Sequence, residues 1–159
     1  MIDPGSLPLR LRRAGARFRP AALALLACLA APAPLKAYVN DALSFAYEAA
    51  QNAVEKDGYV VRRETWTGTA ASDKPNAIRH HLTKGNSYWF WLGTDHENAE
   101  LIIRIYDSNG RAVETQTRRF KNAVAARIEV PRTGAYVIAF RIRTRDGSEA
   151  DWGLAYGYK

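Results

Sequence analysis

The chain has 159 residues, a length typical of one domain, and its 47% hydrophobic and 25% charged residues exclude a disordered or fibrous protein. Its net charge of +7 is concentrated at the N-terminus, where residues 1–37 hold six basic residues and one acidic residue. Residues 38–159 hold 17 basic and 15 acidic residues, and so nearly neutral a domain has no overall electrostatic attraction for nucleic acid.

The first 37 residues have the layout of a secretory signal peptide. Residues 10–19 are basic, residues 21–31 are apolar, and residues 32–37 end in the small residue Ala37. The apolar run of 11 residues is well short of the about 20 that span a bilayer. We therefore predict cleavage after Ala37, export to the periplasm or out of the cell, and no transmembrane span after processing.

A second interpretation of the same segment is lipidation at Cys28. Leu25, Leu26 and Ala27 precede this cysteine and resemble the lipobox of bacterial lipoproteins, in which Cys28 would become the first mature residue and anchor the chain in the cell envelope. The mass of the mature chain distinguishes a lipidated Cys28 from a start at Tyr38. Since Cys28 is the only cysteine, the domain that follows contains no disulfide bond.

Residues 38–58 are predicted to contain an amphipathic helix over 39–57, which packs on a sheet. At about 100° per residue, small and apolar side chains fall on one side of this helix and polar side chains on the other. Asp57 and Gly58 end it, because glycine readily adopts the left-handed conformation that closes a helix. The apolar side comprises Val39, Ala42, Leu43, Ala46, Tyr47, Ala49, Ala50, Ala53 and Val54.

From residue 59 onward the apolar period changes from about 3.6 to about 2, and turn residues recur at intervals of roughly ten. This pattern predicts that residues 59–159 form a mainly β domain, an antiparallel two-sheet, jelly-roll-like β-sandwich of about eight strands. The predicted strands lie near 59–69, 77–83, 87–94, 100–107, 111–119, 123–130, 135–144 and 151–158.

Alternation along these strands assigns each side chain to the core or to solvent. The outward positions include the charged residues Arg104, Arg127, Glu129, Arg141 and Arg143. The inward positions carry large apolar side chains and form the predicted core: Tyr88, Phe90, Leu92, Leu101, Ile103, Ile105, Val124, Ala126, Ile128, Val130, Tyr136, Ile138, Phe140, Ile142, Trp152, Leu154 and Tyr156.

Several segments of the predicted sandwich combine strand alternation with glycine turns: GNSYWF at 85–90, LIIRIYD at 101–107 before an Asn-Gly pair, IEVP at 128–131 before TGAYVI at 133–138, and WGLAYG at 152–157. Over about residues 77–158 they resemble the bacterial pre-peptidase C-terminal (PPC) domain, a small β-sandwich of secreted proteins. The resemblance implies an exported, non-catalytic binding module. We expect the domain to stand alone here, because the sequence shows no protease region and adds an N-terminal helix.

Residues 93–100 take the place of the aspartate-rich segment that is common in PPC domains. Asp95, Glu97, Asn98 and Glu100 are candidate calcium ligands, because calcium takes oxygen ligands from loops of this kind. The alternative is a solvated hairpin loop. We expect no cofactor, with calcium as the weaker alternative.

Trp66, Trp89 and Trp91 are the candidate ligand-binding residues. The alternation that turns Phe90 inward turns Trp89 and Trp91 to the outer face of their sheet. Exposed indoles stack on sugar rings or anchor a protein partner. The competing hypothesis, which we favour because the helix must bury its apolar side somewhere, is that the predicted helix covers Trp89 and Trp91.

The chain contains no Gly-x-Ser-x-Gly, no His-Glu-x-x-His and no phosphate-binding glycine loop. We therefore predict a non-enzymatic exported module that binds a protein or glycan of the periplasm or cell envelope. The alternatives are a lipid-anchored envelope protein and a hydrolase of unrecognised type. Basic residues at 118–121 and 141–145 are interpreted as solvated, with contact to an anionic surface as the alternative. The oligomeric state is not indicated by the sequence.

Overall fold

The computed structural model describes residues 41–159. The predicted signal peptide at 1–37, the alternative lipidation site Cys28 and the first two residues of the predicted helix lie outside the described residues. Within 41–159 one helix precedes nine strands: α1 (Asp41–Asp57), β1 (Val60–Val61), β2 (Trp66–Ala70), β3 (Asn76–Leu82), β4 (Ser87–Thr94), β5 (Glu100–Tyr106), β6 (Gln116–Arg119), β7 (Ala123–Glu129), β8 (Gly134–Arg143) and β9 (Ala150–Tyr158).

The strands form two antiparallel sheets. Sheet A has the order β1-β9-β4-β7-β6, and β2 pairs with β9 on the same side as β1. Sheet B has the order β3-β8-β5. One apolar core contains residues of both sheets, so the sheets pack face to face. The predicted mainly β, two-sheet antiparallel fold with one preceding helix is confirmed.

The core lies between the inner faces of the two sheets. Phe90 of β4 is paired with Ala126 of β7 and Tyr156 of β9, and in sheet B Ile138 of β8 is paired with Ile105 of β5. All of the side chains assigned inward by alternation are buried in this core. The prediction of the core is confirmed, because a side-chain period of two places these residues on one face of each strand, the face turned toward the other sheet.

Two predicted strands differ from those observed. The strand predicted at 59–69 is split into β1 and β2, because residues 62–65 lie opposite only two residues of β9, at 155–156. The Arg62 N–H still donates to the Tyr156 carbonyl at 2.9 Å, and the regular ladder resumes at Trp66. The strand predicted at 111–119 shortens to β6. Before it, the chain returns along the outer edge of β5, where the Val113 N–H donates to the Ile105 carbonyl at 2.9 Å.

Helix α1 packs on the outer face of sheet A. Its approach is close, because Gly93 and Gly153 lie beneath it, and a Cβ atom at Gly93 would overlap the carbonyl oxygen of Ala42. The contact is correspondingly narrow, so that Tyr47 and Val54, predicted on the buried side, are each 40% exposed. The buried side chains of α1 are all alanine: Ala42, Ala46, Ala49, Ala50 and Ala53.

The predicted end of the helix is confirmed. Gly58 has φ +72°, in the left-handed region that glycine adopts without strain. The next residue, Tyr59, donates its N–H to the carbonyl of Ala53 at 3.1 Å and is buried against sheet A. The chain therefore turns from α1 directly into β1.

Candidate functional site

Trp89 and Trp91 lie beneath α1. They are 2% and 1% exposed, their rings stack with centroids 6.3 Å apart, and they pack with the alanines of the helix. Alternation does turn both side chains away from the core between the sheets, as predicted. Helix α1 covers this face, as the covering hypothesis predicted, and neither ring is accessible to a sugar or a protein partner.

Trp66 is half-buried where the edges of the two sheets meet. Its ring lies 5.3 Å from that of His80 and 5.6 Å from that of Tyr156, and the His80 and Tyr156 rings are 4.5 Å apart. The Tyr156 hydroxyl donates to Glu64 Oε2 at 3.3 Å. These contacts fix the Trp66 ring on one side, and ligand binding by Trp66 stays a prediction.

This aromatic cluster shifts two pKa values. Burial lowers the pKa of His80 below 6.5, while the nearby Glu64 carboxylate acts in the opposite direction and the charge of His81 adds to the lowering. Burial, helped by Glu64, raises the pKa of Tyr156 above 10. Both shifts favour the neutral side chain in the folded protein.

We expect the free energy of unfolding to fall between pH 7.5 and pH 5.5, in part because of His80. Below pH 6.5 the unfolded chain binds a proton at this histidine while the folded chain resists it, so unfolding becomes more favourable as the pH falls. Urea denaturation at the two pH values measures the loss, and in a His80→Gln variant the loss is smaller. An equal pH dependence in the variant and the parent would contradict this assignment.

The acidic residues of the β4–β5 connection do not converge. Asp95 Oδ1 accepts the N–H of Asp151 at 2.9 Å, and Glu100 Oε2 pairs with Arg143 at 3.2 Å. Asn98 occupies the turn with φ 59°. Among residues 41–159, no three His, Cys, Asp or Glu side chains lie close enough together to hold a metal ion. Calcium binding by this loop stays a prediction.

The basic residues noted in the sequence divide between the two sheets. The guanidinium of Arg118 lies over the Trp89 ring at 5.2 Å from the centroid, on the α1 side of sheet A. Arg119 donates from Nη1 to the Leu101 carbonyl at 3.3 Å. Arg141 belongs to β8 in sheet B. Hence β6 and β8 do not form one continuous basic surface.

A different exposed surface is formed by the outer face of sheet B. We call it the basic face; it consists of Ile102, Tyr106, Val137 and Ala139 at its centre and Arg79, Arg104 and Arg141 around them. The register of the three strands places these residues side by side. On β8, Val137 is paired with Arg79 of β3 and Tyr106 of β5, Ala139 is paired with Arg104, and Arg141 is paired with Ile102.

Two shallow depressions mark the basic face. The first, of about 290 Å³, is lined by Ile102, Ala139, Pro75 and the two guanidinium-bearing residues Arg104 and Arg141, among others. The second, of about 420 Å³, lies on the Arg79 side of the face. Tyr106 lines both depressions and so stands between them.

The basic face carries uncompensated positive charge. Arg79, Arg104 and Arg141 are exposed, and none of them forms an ion pair with another residue of 41–159. By contrast, Arg143 at the end of the same face pairs with both Asp73 and Glu100, each at 3.2 Å. The three unpaired guanidinium groups therefore remain available to an external carboxylate.

Three residues of the basic face were not among the binding residues predicted from the sequence: Ile102, Tyr106 and Val137. The usable signal was their position, since alternation places all three on the outward side of their strands, where apolar side chains are unexpected. Their adjacency depends on β8 lying between β3 and β5, which the order of strands along the chain does not show.

No family model matches the chain, and no curated protein matches it. Among solved structures, the chain is similar to PliG of Aeromonas hydrophila, a periplasmic lysozyme inhibitor of g-type lysozyme, with 12% identity and a TM-score of 0.47 over 65% of this chain and 90% of that one. It is also similar to the Bacillus licheniformis lipase BlEst2 in propeptide form, with 12% identity and a TM-score of 0.38 over 73% of this chain and 27% of that one.

Within residues 41–159, no helix is both long enough and apolar enough to span a bilayer.

Proposed function

We propose that the chain is an exported, non-enzymatic, PPC-like module that binds a protein of the periplasm or cell envelope through the basic face. The observation that carries this function is an apolar centre surrounded by unpaired arginines on a sheet face that residues 41–159 leave open. The outer face of sheet A is covered by α1 instead. The outer face of sheet A thus packs against α1, and the outer face of sheet B is left for binding.

A protein partner fits this face better than a glycan. The depressions are shallow, and tyrosine and arginine are the residue types that most often supply the binding energy of protein interfaces. Ile102 and Val137 add an apolar centre from which a partner excludes water. The indole pair that was the sequence-based candidate for stacking on sugars is buried.

The lining of the depressions supports binding over catalysis. In the part of the chain that the structure describes, the first depression is lined by no Asp, Glu, His, Ser or Cys side chain. The second includes Ser108, whose hydroxyl makes no hydrogen bond to a base among residues 41–159. It also includes Asp107, whose Oδ1 accepts the N–H groups of Asn109 and Arg111 at 2.9 Å and so holds the β5 turn. Neither arrangement pairs a nucleophile with a base.

Site-specific crosslinking tests this function. With Tyr106→p-benzoylphenylalanine, irradiation of cells that produce the full chain is expected to yield a discrete adduct with one envelope protein. Tyr47→p-benzoylphenylalanine, on the exposed side of α1, is the matched control and yields no such adduct. Adding Ile102→Ala and Val137→Ala is expected to reduce the Tyr106 adduct about tenfold. Absence of an adduct at position 106, or the same adduct at position 47, would show that the basic face is not the binding surface.

A further inference from the structure

On the basis of the proposed function, we infer that the partner presents carboxylate side chains around an apolar side chain, and that its carboxylates bind Arg104, Arg141 and Arg79 while the apolar side chain packs on Tyr106. A partner of this chemistry complements both the unpaired arginines and the apolar centre of the basic face. The inference is carried by the positions of the three guanidinium groups relative to the two depressions.

Arg104 and Arg141 form the first anchor. Because Arg104 is paired with Ala139, and Arg141 is two residues further along β8, the two arginines are diagonal neighbours, with Cα atoms about 7–8 Å apart. Both line the same depression, whose remaining lining includes Ile102 and Pro75. A carboxylate held between two planar guanidinium groups receives paired hydrogen bonds, and the apolar lining accommodates the methylene groups of its own side chain.

Arg79 forms the second anchor on the opposite side of β8. β8 lies between its strand and that of Arg104, which places the two strands about 10 Å apart. The register also offsets Arg79 from Arg104 by two residues, so their backbones lie roughly 12 Å apart. Tyr106 and Val137 lie between these anchors. The matching surface therefore has two acidic positions roughly 12 Å apart and an apolar side chain between them.

A second copy of the chain does not fit this description. Two basic faces brought together by a twofold axis would place the same unpaired arginines opposite each other, and like charges across an interface oppose association. The face also carries arginine at all three cationic positions, and arginine suits bidentate carboxylate recognition better than lysine does. An acidic protein is therefore the partner whose chemistry fits the basic face.

Binding of defined polymers tests the chemistry. The purified chain is titrated with a soluble glutamate–tyrosine copolymer and with polyglutamate, and affinity is measured by calorimetry at low and moderate salt. We expect the copolymer to bind more tightly than polyglutamate, and Arg104→Gln with Arg141→Gln to weaken copolymer binding at least tenfold. The matched control, Lys56→Gln with Arg63→Gln, removes the same charge from α1 and the β1–β2 connection and is expected to weaken binding less than threefold.

Four outcomes would overturn the inference. An equal loss in both double variants would mean that net charge alone attracts the polymer, and equal affinity for polyglutamate would remove the role of Tyr106. Binding to phosphatidylglycerol vesicles that depends on Arg104 and Arg141 would identify a membrane surface instead. If the Tyr106 crosslink persists in the Arg104→Gln, Arg141→Gln variant, the basic face still binds a protein and only the acidic chemistry is wrong.

Discussion

A single methyl group at position 93 is expected to lower the free energy of unfolding by about 3 kcal/mol. In Gly93→Ala, the added Cβ would overlap the carbonyl oxygen of Ala42 and lie 2.8 Å from the Ala46 nitrogen. These are backbone atoms in the first turns of α1, which no change of rotamer can move. The helix must therefore shift away from sheet A, and urea denaturation measures the loss of stability.

The same variant is expected to increase acrylamide quenching of tryptophan fluorescence, because a displaced helix uncovers Trp89 and Trp91. Gly134→Ala is the matched control, since a Cβ atom there meets nothing within 4 Å. We expect its stability to lie within about 0.5 kcal/mol of the parent. A Gly93→Ala chain as stable as Gly134→Ala would show that α1 does not rest on this glycine.

Trp91→Ala is expected to destabilise the protein by about 3–5 kcal/mol, the cost of removing a buried aromatic side chain. The ring is 1% exposed, stacks on Trp89 and fills the space beneath α1. Because the small alanine side chains of the helix already approach sheet A closely, they cannot collapse into the cavity without moving the helix backbone. Thermal and urea denaturation give two independent measures of this loss.

Tyr47→Ala is the control for this prediction, since Tyr47 lies on α1 itself and is 40% exposed. Its effect is expected to be within about 0.5 kcal/mol. A Trp91→Ala variant that kept its stability while losing a binding partner would instead restore the indole as a recognition residue. A packing role for Trp91 thus predicts lost stability in Trp91→Ala, whereas a recognition role predicts unchanged stability and lost binding.

The core of the sandwich could be predicted from the sequence because its strands have a strict side-chain alternation. Phe90, Ile138 and Leu154 are all inward by this rule, and all are buried. The break in the first predicted strand could not be predicted, since it depends on four residues at 62–65 facing two residues of β9. Nothing local at those positions reveals how many residues a distant partner strand provides.

The candidate site was harder to predict from the sequence than the core. Exposed tryptophans are a reasonable signal for binding, but burial of Trp89 and Trp91 depends on how far α1 extends over sheet A. The basic face requires β8 to bring Arg79 and Tyr106 to either side of Val137, although these residues are far apart in the chain. Its signal, apolar residues on the outward side of strands, becomes meaningful only once the strand order is known.

The segment that returns along the outer edge of β5 affects how other molecules can approach. With the Val113 N–H bonded to Ile105 and Ala112 bridged to Tyr106, the end of this edge at Ile105 and Tyr106 is already occupied by the protein's own backbone. An extended chain from a neighbouring molecule cannot continue the sheet there, a process that leads other β proteins into fibrils. Under the proposed function, a partner instead contacts the side chains of the open outer face of sheet B.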